Sequence, residues 1–154
     1  MSNANYIEKN RIPIKFHVLD GSVDEGLVYL GLHAARHEGS ESVRDLLLGS
    51  ERYLSIVFTD RPTKLVNRDC LVMVTVAAEQ LPADPAVSGG QPHAVTVHLP
   101  NDLRVDGTLF FMLPSHRARV KDYLNLPEPF VELHRDNEIC LVNKHHIFYV
   151  EEKS

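Results

Sequence analysis

The chain has 154 residues, 44% of them hydrophobic and 24% charged, and a formal net charge of −5. That is an ordinary globular composition, long enough for one larger or two small domains. The acidic balance argues against sequence-independent nucleic-acid binding over a broad surface, which draws its affinity from phosphate neutralisation, and against an anionic membrane as partner.

In chain order, MSNANYIEKNRIP holds no apolar core of the kind a secretory signal needs, and no run approaches 18 apolar residues. Cys70 and Cys140 therefore read as reduced thiols, and cytoplasm is the expected location. Ile12–Val18 alternates at period two and predicts a half-buried strand. Asp20-Gly21 suits a hairpin turn. Gly26 falls inside the following strand, where a glycine marks a bend or a bulge. Ser42–Leu48 predicts one or two helical turns, with Asp45 near the positive end of the helix dipole. Strands are expected at 53–58, 64–67 and 69–76. Glu79–Pro92, with three prolines and two adjacent glycines, reads as a solvated connector.

The same succession then restarts. Ala94–Leu99 alternates, Asn101-Asp102 supplies a turn, and Gly107 sits in the second strand. Arg119–Leu124 predicts another short helix, with Asp122 as the counterpart of Asp45. Leu126-Pro127-Glu128-Pro129 ends it. Strands are expected at 130–134, 139–143 and 145–151. Three anchors align in order. Gly26-Leu27-Val28-Tyr29 matches Gly107-Thr108-Leu109-Phe110, Val43-Arg44-Asp45-Leu46-Leu47 matches Val120-Lys121-Asp122-Tyr123-Leu124, and Leu65-Val66-Asn67-Arg68 matches Leu141-Val142-Asn143-Lys144. The expectation is a tandem duplication: copy one over 12–78, a linker over 79–92, and copy two over 93–152. The fold class is mainly β. Each copy is expected to be a small five-stranded barrel with a short inserted helix, its second strand bent at the glycine. Leu47, Ile56, Val66 and Val74 are expected in the core, with Leu124, Leu133, Val142 and Val150. Modules this short bury only about 60% of their unfolded surface and gain from packing on one another.

These residues resemble a known family. Ile12-Pro13-Ile14-Lys15-Phe16, Asp20-Gly21 and Gly26 are similar to the first motif of Sm-like proteins of the Hfq type. Leu141-Val142-Asn143-Lys144-His145-His146-Ile147 is similar to the second motif, with its Lys-His pair on the last tight turn. The helical segments, 32–48 and 114–125, are not part of a plain Sm fold and look more like uncharacterised bacterial relatives of it. Copy one carries Arg68-Asp69 where the pair would stand. The resemblance implies that this turn lines the pore of a ring. There Lys144 and His145 would meet phosphate and base, with Asn143, His146, Asn67 and Arg68 beside them. The bland reading is a polar turn between strands, its asparagines tolerating a left-handed backbone. Lys144, on an exposed turn, is then expected to contribute little to stability.

His116, Arg117, Arg119 and Lys121 form one local basic run, a possible phosphate or partner contact and more often the solvated face of a helical turn. Cys140, His134, His145 and His146, and the pair His33/His37, lack a repeated metal spacing, so no metal and no cofactor is expected. No nucleophile elbow, phosphate-cradling glycine loop or paired-acid motif is present, so the chain is expected not to be an enzyme. Small barrels carry unpaired strand edges. Leu71–Val76 and Ile147–Val150 suit edge-to-edge pairing, between the copies or with other chains in a ring. The reading is a protein–protein assembly, scaffold or regulatory module, with RNA binding at Lys144-His145 as the alternative.

Overall fold

A computed structural model of the chain describes residues 9–31, 41–83, 89–114, 116 and 119–153. The elements in order are β1 (Lys9–Val18), β2 (Val23–Gly31), α1 (Val43–Leu48), β3 (Tyr53–Ile56), β4 (Lys64–Asn67) and β5 (Leu71–Ala77). Then come β6 (Gln91–His98), β7 (Arg104–Phe111), α2 (Val120–Leu124), β8 (Phe130–Arg135), β9 (Glu138–Asn143) and β10 (Tyr149–Glu152). The fold is mainly β, with two short helices. Gly21 at φ +93°, and Asn101 and Asp102 at +63° and +58°, supply the left-handed backbone that the two hairpin turns require. Ser42 and Asp45 start α1 with a reciprocal capping box: Asp45 N donates to Ser42 Oγ, and Ser42 N donates to Asp45 Oδ2 at 2.8 Å.

Ladder for ladder, the two halves share one register. Ile14 opposite Gly26 becomes Val95 opposite Gly107, 81 positions on at both residues. The bridge between Leu27 and Val57 becomes the pair Thr108 and His134. Leu54 opposite Val66 becomes Val131 opposite Val142, and Phe16 opposite Val74 becomes Val97 opposite Val150. Each half therefore runs fifth-first-second-third-fourth strand. Close approach of the third strand accounts for both glycines. A Cβ on Gly26 would lie 2.6 Å from Ile56 Cγ2, and one on Gly107 2.6 Å from Leu133 Cγ.

The strands do not close into two separate barrels. Among the described residues β4 does not pair with β5, nor β9 with β10. Instead β9 pairs with β5, and a single eight-stranded sheet runs β10-β6-β7-β8-β9-β5-β1-β2. β3 and β4 form a hairpin tied to β2 by the Leu27–Val57 bridge. The reason lies in the two junction strands, which are apolar on both faces. Leu71, Val74 and Val76 of β5, with Ile139 and Leu141 of β9, enter the core that contains Phe16, Leu47 and Ile56. Val72, Met73, Cys140 and Val142 enter the other core, with Val97, Leu109 and Leu133. Each strand thus walls both cores, and pairing them buries faces that separate barrels would leave wet.

Leu47, Ile56, Val74, Leu133 and Val142 are buried as expected. Val66, Val150 and Leu124 are only partly buried. The first two lie on β4 and β10, each of which ends a sheet, and Leu124 ends α2. The strands expected from 69 and 145 start later because a 3-10 turn occupies Arg68–Cys70 and Lys144–His146. Within the described residues, no helix is long and apolar enough to cross a membrane.

Candidate functional site

The fourth strand of each half passes into the fifth through a single 3-10 turn capped by an asparagine. Asp69 N donates to Asn67 Oδ1 at 3.0 Å, and His145 N donates to Asn143 Oδ1 at the same distance. Both asparagines are extended, at φ −68° and −73°. Their side chains start the turn, and no left-handed backbone is involved.

The cation that follows each asparagine reaches back to the inserted helix. Lys144 Nζ donates to the carbonyl oxygens of Leu124, at 3.0 Å, and Leu126. Arg68 Nη1 donates to those of Leu47, at 3.3 Å, and Gly49. These carbonyls lie at the ends of α2 and α1, where helical backbone lacks its own donors. Both side chains are therefore partly buried fasteners between turn and helix, and Lys144 is not the exposed turn lysine expected from the sequence. Burial pushes the Lys144 ammonium below its ordinary pKa, and Glu128 works in the opposite direction.

The turn of the second half also grips the first half. Asn143, buried, donates through Nδ2 to Leu71 O at 3.0 Å. His146 Nε2 donates to Asp69 O at 2.5 Å. Nearby the Arg44 guanidinium forms a two-pronged pair with Glu132 and donates to Pro82 O at 2.9 Å. The β5–β9 ladder, from Met73 opposite Val142 to Ala77 opposite Glu138, lies between these contacts. Asn143 and His146 thus reach across the joint between halves, Lys144 ties the same turn to α2 of its own half, and Asn67 and Arg68 occupy the matching turn of the first half.

His145 is exposed, its ring edge-on to that of His146. Arg119 is exposed and pairs with Asp122 at 2.9 Å. Arg117, His33 and His37 lie outside the described residues. Cys140 is a buried free thiol, and Cys70 a partly buried one. Among the described residues, no three His, Cys, Asp or Glu side chains are grouped to hold a metal.

The sequence reading missed how unequal the two ends of the molecule's strands are. The edge of β4 exposes Leu65, with Tyr53 beside it on β3, and the edge of β10 exposes Tyr149 and the preceding Phe148. His98 stacks on Tyr149 at 4.2 Å between ring centres and meets Glu151 at 2.5 Å. A groove of about 750 Å³ runs beside this edge, walled by Leu99, Arg104, Phe148 and Tyr149. The available signal was the repeat itself: two equivalent joints are possible, and one chain can satisfy only one of them.

No protein family, curated protein or solved structure matches this chain.

Proposed function

We propose that the chain is a non-enzymatic tandem module of the Sm-like type, two equivalent five-stranded halves joined through one sheet, that assembles proteins by strand addition at its free edges. The observation that carries this reading is that β4 and β10 each have, among the described residues, one unpaired edge, with Leu65 exposed on the first and Tyr149 on the second. An open sheet edge offers a row of backbone donors and acceptors to an incoming strand. The shared register and strand order of the two halves support the tandem reading.

RNA binding comes second because the cations it needs are already engaged. Lys144 and Arg68 hold helix-end carbonyls, and Arg119 holds Asp122. The deciding experiment purifies the full chain from its own cell extract. It then reads bound protein, the ratio of ultraviolet absorbances, and native mass. Assembly predicts self-association or a stoichiometric protein partner, without nucleic acid. A monomer with neither would overturn the reading. Co-purified RNA whose binding weakens steeply with salt would install the RNA alternative.

A further inference from the structure

The groove of about 750 Å³ beside the start of β10 has the size of a small-molecule site, roughly 300–1,000 Å³. Arg104 lines it, opposite His98 in the β6–β7 ladder, together with the exposed rings of Phe148 and Tyr149. Arg104 is itself exposed, and among the described residues it makes no hydrogen bond or ion pair. Asp106 lies within its electrostatic reach, but that carboxylate is already held by Thr96 Oγ1 at 2.5 Å and by Lys153 Nζ at 3.0 Å. The groove therefore offers a guanidinium and two aromatic surfaces to whatever enters it.

The same place in the first half is chemically different. Arg104 stands where that half has Val23, 81 positions earlier. Phe148 and Tyr149 stand where it has Val72 and Met73, at the 76-residue spacing of Asn67 and Asn143. Phe148 is 67% exposed and Val72 2%, while Tyr149 is 56% exposed and Met73, opposite Val142 of β9, 3%. The second half thus sets two rings and a guanidinium where the first sets three side chains with neither ring nor charge. One ring is also fixed in advance. Tyr149 stacks on His98 at 4.2 Å with 20° between the planes, and His98 Nε2 meets Glu151 Oε1 at 2.5 Å. Phe148 is anchored through its backbone, its N donating to His98 O at 2.8 Å. A wall ordered before binding lowers the entropic cost of association.

We infer that this groove binds a small aromatic carboxylate. The ring of the ligand packs against Phe148 and Tyr149, where offset or edge-on contact adds to the burial of area. Its carboxylate takes the two-pronged hydrogen bond that a planar guanidinium is shaped to give. A neutral aromatic forgoes the Arg104 contact, and an aliphatic acid forgoes the ring contact. Asp102 also borders the groove and opposes an anion, so it holds the affinity down. Its backbone is left-handed, at φ +58°, a conformation that asparagine also tolerates. Binding here is separate from strand addition, which uses the backbone edge of β10.

The test titrates the isotope-labelled full chain with phenylpropionate and follows backbone amide shifts by NMR. Saturable shifts are expected at His98, Leu103, Arg104, Phe148 and Tyr149. Phenylpropionamide and cyclohexylpropionate should each bind several times more weakly. Arg104→Gln should weaken phenylpropionate by about tenfold and remove its advantage over the amide. Phe148→Ala should weaken the acid and the amide alike, and Asp102→Asn should tighten the acid by about twofold to threefold. All three side chains are exposed, so circular dichroism and melting should show the variants folded. No saturable shift, equal affinity for the acid and the amide, or Arg104→Gln binding as wild type does would overturn the inference. Sedimentation of the same samples keeps it apart from the assembly reading. A partnerless monomer that binds phenylpropionate removes strand addition and leaves the groove, and an assembled chain that does not bind it does the reverse.

Discussion

Asn143 and Leu71 are joined across the two halves: the buried amide of the first donates to the carbonyl of the second at 3.0 Å, while its other side-chain atom accepts His145 N. Asn143→Ala removes both bonds and leaves a buried carbonyl without its donor. The cost should be about 1–3 kcal/mol, read as a lower urea midpoint with an unchanged slope. Asn67→Ala should cost less in the isolated chain, since only its cap is lost.

Lys144→Ala should destabilise by about 1–2 kcal/mol, because the lost ammonium leaves the end of α2 uncapped. Arg68→Ala should behave similarly at the end of α1. Thermal melting of both variants checks this. The result expected from an exposed pore lysine is an unchanged melting temperature, so the measurement separates the two roles.

Gly26→Ala and Gly107→Ala should each cost about 1–3 kcal/mol through overpacking. Each new methyl would sit 2.6 Å from a side chain of the crossing strand. Equal losses at both positions, measured by chemical unfolding, are the outcome expected of two equivalent crossings. A neutral result at either would mean that the third strand lies farther off.

Burial holds both His17 and His134 below the ordinary histidine pKa, and among the described residues the buried His17 Nδ1 has no hydrogen-bond partner. The unfolded chain takes up these protons near pH 6.5, before the folded chain does. Stability should therefore be full above that pH and fall as the pH drops below it, by at most about 1.4 kcal/mol per unit for each histidine. Melting temperatures from pH 7.5 to 5.5 check the slope, and His17→Gln should flatten it. A wild-type profile with no slope would contradict the burial of both rings.

Much of the architecture was legible because it is local. Alternation around Ile14 and Val95 shows a strand, Asp20-Gly21 and Asn101-Asp102 show turns, and the repeat aligns Gly26 with Gly107. Alternation says which face of a strand is apolar, but not which strand lies beside it. For that reason Leu65 and Leu141 read alike, although one lies at an open edge and the other is enclosed by β5. The partial burial of Lys144 was not legible for a related reason. Its partners, Leu124 and Leu126, lie some twenty residues earlier and meet it only once β9 and α2 have packed. A basic residue on a turn gives no local sign that it will point inward. The partial burial of Val66 and Val150 follows from the same missing information.

The shared wall formed by β5 and β9 also governs how the molecule comes apart and comes together. Val74 and Leu141 face one another across 67 positions of chain, so the joint closes only after a long loop has been ordered. Neither half completes its interior before then, and unfolding should be a single cooperative transition rather than two. Cutting the chain at the linker should not release two stable pieces. During synthesis β5 leaves the ribosome well before β9 exists, with both faces apolar and one edge open. That interval is when the nascent chain is most exposed to aggregation.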